Sequence, residues 1–283
     1  MKILIVIIRW KGGVGRVVEN QKREFEKLGH EVEVISREDD LKCFSTISAW
    51  FKLRREVNCK TYDILYTQDW SCALPLLNKR KHFVNFNGIE SSKSEYFQKL
   101  VAKLKGKKLT VIGDELKEAF PKATLAYVGV DLNEFKDLNL EREKGTLGFA
   151  NFPTEDYNYS KIEQSAKDLG LKFIKTNMNL TKEELVKFYN KIETFISLPE
   201  KFSGFNMSWV EAMACGVPKI IGNYNGIGKQ LEINHVENFN TITEAIKQAK
   251  SRQLYRINKD FNWEIQTKKI LDLFEGGKNE KRK

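Results

Sequence analysis

The chain has 283 residues, 41% of them hydrophobic and 30% charged, with a formal net charge of +10. That length supports one large domain or two of roughly 130 residues, each with its own core. No apolar run reaches the ~18 residues that a membrane-spanning helix needs, and the cysteines Cys43, Cys59, Cys72 and Cys215 lack the CxxC and His spacings of a metal module, so they read as reduced, mostly buried thiols of a cytosolic protein.

The opening MKILIVII is apolar but short and runs into Arg9-Trp10-Lys11, which predicts a buried first strand rather than a signal peptide. Lys11-Gly12-Gly13-Val14-Gly15-Arg16 follows it. Glycines there let backbone N–H groups approach an anion at a helix N-terminus, although the pattern is neither GxGxxG nor a Walker A loop. A tight turn without a ligand is the competing reading. Val14, Val17, Val18, Phe25 and Leu28 recur at helical spacing, and Leu28-Gly29 ends that helix, with His30 as a turn residue. Strand-like runs at Val32–Ile35, Ile64–Tyr66, Phe83–Phe86 and Leu109–Ile112 alternate with helical stretches, as in a parallel sheet covered on both faces. Asp39-Asp40 is expected to cap the helix that follows. Lys99, Lys103, Lys105, Lys107 and Lys108 beside Leu100, Val101 and Leu104 fit either a helix resting on an anionic membrane or a solvated face packed by its apolar side. Nucleic acid is not expected, because no zinc-finger, RRM or KH pattern accompanies the charge.

A charged stretch, 131–145, separates this series from a second: Leu147–Ala150, a helix at Ile162–Leu169, Phe173–Ile174, a helix at Lys182–Tyr189, Thr194–Ser197, a helix at Ser208–Ala214 and Lys219–Ile221. The chain therefore reads as two αβ domains, 1–135 and 136–260, followed by a C-terminal helix over 261–276 and a basic tail over 277–283. In the second half a strand ends at Ser197, a Gly-containing loop follows and a helix starts near Asn206–Ser208. Free N–H groups at such a helix start can bind a phosphate or a sugar hydroxyl. Glu211, one turn into that helix, can accept two hydrogen bonds from a ribose diol.

Glu211-Ala212-Met213-Ala214-Cys215-Gly216-Val217-Pro218 resembles the Glu-Ala-Met-Ala-x-Gly-x-Pro signature of family 4 retaining glycosyltransferases of the GT-B type. Other segments are similar to that family and fall in its order: Gly12–Arg16 to its N-terminal glycine loop, Val128–Phe135 to its junction segment, Leu180–Tyr189 to the helix before its donor strand, and Phe261-Asn262-Trp263-Glu264 to its C-terminal crossing. The resemblance implies two Rossmann-like domains facing a cleft, with the last helix crossing back to the N-domain. It implies a retaining, metal-independent hexosyltransferase that uses a nucleotide-diphosphate sugar and needs no cofactor. The acceptor would be a glycan, a lipid-linked molecule or a protein, and the place of work the cytoplasm, with the inner face of the membrane as a peripheral site. Donor binding falls to Gly13, Val14, Gly15, Lys201, Ser203, Gly204, Phe205, Asn206, Met207 and Glu211; the catalytic candidates are Glu211, Asn87 and Asp69. Asp69 either orients an acceptor hydroxyl or caps the next helix.

Three positions depart from the family. Its sugar-gripping Glu, eight residues before Glu211, is replaced by Ser203, with Glu200 nearby. Its His-Gly pair becomes Asn87-Gly88, an amide that hydrogen-bonds but does not titrate. Its diphosphate cations are missing from 148–157, where Lys201, Arg9 or Arg16 would have to substitute. These departures support an alternative: a degenerate GT-B domain that binds a nucleotide, glycan or partner without turnover. A Rossmann dehydrogenase lacks its fingerprint here.

Overall fold

The computed structural model describes residues 1–42, 46–89, 93–151, 153–176, 180–199, 205–252 and 255–276. The chain divides into two compact units, Met1–Gly129 with the C-terminal stretch from Asn262, and Val130–Phe261.

In the first unit the chain runs β1 (Lys2–Ile7), α1 (Gly13–Lys27), β2 (Glu31–Ser36), α2 (Thr46–Cys59), β3 (Ile64–Gln68), α3 (Trp70–Ala73), β4 (His82–Phe86), α4 (Lys93–Lys105), β5 (Leu109–Val111), α5 (Asp114–Ala119) and β6 (Thr124–Leu125). All neighbours pair in parallel, in the order β2-β1-β3-β4-β5-β6. The unbroken apolar run of β1 follows from burial on both faces. Ile3, Ile5 and Ile7 join one core with Val18 and Phe25 of α1, while Leu4 and Val6 join another with Leu53 and Val57 of α2 and Cys72 of α3.

The second unit runs β7 (Glu143–Phe149), α6 (Tyr159–Asp168), β8 (Lys172–Lys175), α7 (Lys182–Lys191), β9 (Ile192–Ile196), α8 (Met207–Ala214), β10 (Lys219–Gly222), β11 (Asn234–His235) and α9 (Ile242–Gln248). Its parallel sheet has the order β11-β10-β9-β7-β8. Leu147, Phe149, Ile196 and Ile221 of that sheet pack on Ile162 and Ala166 of α6 and on Ile242 and Ile246 of α9. Residues 130–135 belong to this unit, because the Phe135 ring is buried 6.4 Å from that of Tyr189 on α7.

The last helix, α10 (Trp263–Phe274), returns to the first unit. Asn262 caps it by accepting from the N–H groups of Glu264 (2.8 Å) and Ile265 (3.2 Å). Its Phe274 ring lies 4.8 Å from Phe83 and 5.3 Å from Tyr66. Gly129 permits this return: a Cβ there would stand 2.3 Å from the backbone nitrogen of Trp263. The two expected alternations of strand and helix are thus both present, and the fold is α/β.

Details differ from the sequence reading. Leu28 is exposed, and the buried face of α1 is completed instead by Asn20, Gln21 and Glu24. Cys72 and Cys215 are buried, Cys59 is exposed, and Cys43 lies outside the described residues. Of the basic stretch in α4, Val101 is buried but Leu104 is 59% exposed, and Lys99 pairs with Glu95 at 2.6 Å. No helix among the described residues is long and apolar enough to cross a membrane. The expected tail, 277–283, also lies outside them.

Candidate functional site

Strand order marks one crevice in each sheet. From β1 the chain passes to β2 on one side and then to β3 on the other. From β7 it passes to β8 on one side and then to β9 on the other. Open α/β sheets bind ligands beyond the carboxyl ends of strands at such reversals. Among the described residues the rule selects 8–15 and 68–70 in the first unit, and 150–151, 153–158, 197–199 and 205–206 in the second.

In the first unit, Asp39 ties down the loop after β1. Its Oδ2 accepts from the Trp10 backbone N–H (2.7 Å) and from the Ser36 hydroxyl (2.6 Å), and those two bonds hold its carboxyl below the usual carboxylate range. Asp40 accepts from the Ser36 N–H at 2.7 Å. The expectation that this pair caps the next helix is therefore corrected: both carboxylates are spent on β2 and the glycine loop. Gly15 is required sterically, since a Cβ there would stand 1.6 Å from the Trp10 carbonyl oxygen. Beside it, Gly13 is exposed with open space around it and Val14 is half-buried, so the first turn of α1 is approachable.

At the end of β3, Asp69 has φ 64° and ψ 164°, a region that is nearly glycine-only and costs about 1–3 kcal/mol. It occupies the N-cap position of α3 but makes no side-chain cap bond. Its Oδ1 instead accepts from the Asn87 backbone N–H at 3.3 Å, and its own N–H donates to the Asn85 carbonyl at 2.8 Å. Asn87, half-buried just after β4, donates from Nδ2 to Gln68 Oε1 (3.1 Å) and accepts at Oδ1 from Asn85 Nδ2 (2.9 Å). Asp69 and Asn87 are thus brought together at the strand ends.

In the second unit three successive carbonyls are held by side chains. Trp209 Nε1 donates to Ser197 (3.1 Å), Asn158 Nδ2 to Leu198 (3.0 Å), and Asn223 and Asn225 Nδ2 both to Pro199 (2.7 and 2.8 Å). This fixes the chain where it leaves β9. Glu200, Lys201, Ser203 and Gly204 follow and lie outside the described residues. Phe205 is buried edge-on against Phe261, with centroids 5.1 Å apart. Asn206, at the N-cap of α8, commits its amide to Ser197 Oγ (2.7 Å) and Ser208 Oγ (2.6 Å). It makes no cap bond, so the first-turn N–H groups of α8, beginning at the half-buried Met207, have no side-chain cap. Glu211 is 1% exposed, and its Oε2 accepts from the Tyr189 hydroxyl at 3.0 Å. Arg142 braces the same region, donating to the carbonyls of Tyr189 (2.8 Å) and Cys215 (2.8 Å).

Sequence reading missed Gln21, Gln68, Asn85 and Gln266, which are all buried polar residues. A signal existed: Gln21 sits on the apolar stripe of α1 and Gln266 on that of α10, and a polar residue on a buried stripe calls for a partner. It missed Asn158, Asn223 and Asn225 because their partners are backbone carbonyls, which leave no pattern. Among the described residues no group of three or more His, Cys, Asp or Glu side chains is arranged to hold a metal ion.

The fold defines a class: the GT-B glycosyltransferase fold, with one Rossmann-like αβ unit after another. No family profile matches the chain, and no curated protein sequence matches it. Solved structures do. A glycosyltransferase from Rickettsia africae ESF-5 superposes with a TM-score of 0.62 at 14% identity, over 96% of this chain and 94% of that one. Anabaena HepE in complex with UDP and glucose gives 0.64 at 12% identity over 97% of both chains. The lipopolysaccharide outer core galactosyltransferase WaaB gives 0.60 at 12% identity, again over 97% of both.

Proposed function

We propose that this chain is a glycosyltransferase that moves a hexose-type sugar from a nucleotide diphosphate to a glycan, lipid-linked or protein acceptor with retention at the anomeric carbon. One observation carries the reading: the Glu211–Pro218 segment forms the second half of α8 and the turn into β10, and α8 itself starts beyond the carboxyl end of β9, at the strand reversal of the second sheet. The uncapped start of α8 would take the diphosphate, because helix N-terminal N–H groups stabilise the negative charge that develops on a leaving group. Phe205, Asn206 and Met207 line that start; Lys201, Ser203 and Gly204 belong to the same donor loop. Glu211 would serve the ribose and hold the helix in place through Tyr189. On the first unit, Asn87 and Asp69 would meet the reacting sugar and the acceptor hydroxyl, with Gly13, Val14 and Gly15 offering backbone amides. The metal independence that the resemblance implies is part of the proposal: the start of α8, with Lys201, Arg9 or Arg16 in place of the missing cations, would stabilise the leaving group, and EDTA is expected to leave the rate unchanged.

The test is a titration with UDP-, GDP- and ADP-sugars, starting with UDP-glucose, followed by melting temperature and nucleotide release. A bound donor at 100-fold excess over Kd stabilises by about 2.7 kcal/mol, which is a shift of several degrees. The reading is overturned if no common donor shifts the melting temperature or is turned over. Binding without turnover favours the second reading, a nucleotide- or glycan-binding domain, which the absence of Arg and Lys from 148–157 supports. The reading includes a peripheral stay at an anionic membrane, supported by Leu104 beside Lys103, Lys107 and Lys108, and by Ile47 (68% exposed) and Phe51 (74% exposed) beside Lys52 and Arg55. Cosedimentation with anionic but not neutral vesicles checks it.

A further inference from the structure

One face of the first sheet is apolar where Ile3, Ile5, Tyr66 and Phe83 meet α1 and α10, and turns polar at its carboxyl end. Gln68, Asn85 and Thr110 are Cα partners across β3, β4 and β5, and all three are fully buried. Thr110 Oγ1 donates to Asn85 Oδ1 at 2.8 Å, and Asn85 Nδ2 donates to Gln68 Oε1 at 2.9 Å. From Gln68 a chain of amides crosses the helix layer. Gln68 Nε2 donates to Gln21 Oε1 on α1 (3.4 Å), Gln21 Nε2 to Gln266 Oε1 on α10 (3.3 Å), and Gln266 Nε2 to the Ala126 carbonyl (3.1 Å).

This chain has a direction, and its far end sets it. A carbonyl oxygen only accepts, and the Ala126 N–H is already given to the Val111 carbonyl at 2.8 Å. Gln266 must therefore turn Nε2 toward Ala126 and Oε1 toward Gln21. Gln21 must then present Nε2 to Gln266 and Oε1 to Gln68, and Gln68 is left with Oε1 facing the strand ends. Asn87 meets that oxygen at 3.1 Å with Nδ2. Flipping Asn87 would set Oδ1 against Gln68 Oε1 and Nδ2 against Asn85 Nδ2, an acceptor facing an acceptor and a donor facing a donor. Such mismatches are costly on the side of Gln68 and Asn85, which are fully buried and have no water to replace the lost partners.

We infer that Gln266, Gln21 and Gln68 form a positioning relay that fixes the orientation of the Asn87 amide, so that one Nδ2–H and one Oδ1 lone pair are presented at a constant place to the sugar or acceptor. The inference rests on the reading of Asn87 as a residue of the reacting site. Gln266 acts through Gln21, and Gln21 through Gln68; both are positioning residues. The relay also ties the C-terminal helix to the strand ends, so a helix that closes the fold sets the polarity of a side chain at the site.

The experiment follows the side-chain NH2 resonances of Asn87 in 15N-labelled full-length protein, identified by their loss in Asn87→Asp, together with kcat and KM for the donor. In the wild type, one Asn87 proton is expected to exchange with solvent at least tenfold more slowly than a free amide. In Gln21→Met that protection is lost, kcat falls roughly tenfold and donor KM is unchanged. Gln21→Glu supplies a graded rescue. A protonated carboxyl accepts from Gln68 and donates to Gln266, so protection and kcat recover as pH is lowered; an ionised one lacks the donor. If Gln21→Met does not fold, Gln266→Met poses the same question from the far end. Unchanged Asn87 exchange in a folded Gln21→Met or Gln266→Met protein overturns the relay. Altered exchange with unaltered kcat overturns its service to the reaction. A wild type with no turnover on any donor counts against the glycosyltransferase reading instead, and the resonances alone then decide the relay.

Discussion

Oδ1 of Asp69 lies 3.3 Å from the backbone nitrogen of Asn87, and Asp69 reaches it from a backbone conformation of φ 64° and ψ 164°. A β-carbon is disfavoured there, so the aspartate is held against its own local preference by the surrounding strand ends. Strain of this kind persists where a side chain has a task. Asp69→Gly should therefore change stability by no more than about 1 kcal/mol, the ~1–3 kcal/mol of relieved strain being offset by the added freedom of glycine in the unfolded chain and by the lost acceptor of the Asn87 N–H. Transfer should fall by about 10² or more, because no carboxylate is left to orient the acceptor hydroxyl. Urea unfolding beside a turnover assay checks both halves; a loss of stability above about 1 kcal/mol would contradict the strain.

Gly15→Ala tests the glycine loop. Its new methyl would meet the Trp10 carbonyl oxygen at 1.6 Å, and the contact is backbone on both sides. No rotamer relieves it, so either the loop or α1 must shift. We expect a loss of about 3 kcal/mol or more, beyond the usual overpacking range, read as a fall in melting temperature. A variant as stable as the wild type would show that the loop is more yielding than the packing indicates.

Glu211 and Tyr189 separate support from binding. Tyr189→Phe deprives a buried carboxylate of a donor and should cost about 1.5–3 kcal/mol in stability, while donor-induced stabilisation survives. Glu211→Ala should abolish both transfer and the rise in melting temperature with donor. If Glu211→Ala still responds fully to every donor, its carboxylate is a packing element and the ribose contact lies elsewhere.

His82 makes the first unit sensitive to acid. Burial, and then the Lys105 and Lys108 cations, lower its pKa to about 3. The Leu76 carbonyl lies 2.9 Å from Nδ1 and Thr67 Oγ1 lies 2.9 Å from Nε2, which suits a neutral ring donating to the first and accepting from the second. Because the folded-state pKa is below the unfolded value of about 6.5, the unfolded chain takes up this proton first. The stability contribution is complete above pH 6.5 and is lost as pH falls toward 3, with a slope of up to about 1.4 kcal/mol per pH unit. Denaturant melts between pH 5 and 6.5 should show that slope in the wild type and a flatter one in His82→Gln.

Much of the fold was legible in the residues. The run Ile3–Ile7 is apolar without interruption because β1 is buried on both faces, and a run of that kind leading into a glycine-rich turn has few other homes. The Glu211–Pro218 segment likewise announced a helix and a turn ahead of a strand; Ala212 is fully buried, and Gly216 takes the φ of 68° that the turn needs. Asp39 and Asp40 were misread because an acidic pair before a helix has the local look of a cap, whereas their partners, Trp10 and Ser36, are decided by which loop lies next to β2.

Local sequence was enough to place the alternation of strands and helices, the helix that carries the glutamate and the glycine loop, since these depend on neighbours a few positions apart. Tertiary structure alone decided what Asn87 is bonded to. Gln21 and Gln266 meet across 245 positions of chain, and amide orientation depends on an unbroken series of donors and acceptors ending at the Ala126 carbonyl. Periodicity reports which face of an element is buried. It carries no record of which buried polar group faces which, because that pairing exists only once both elements have packed.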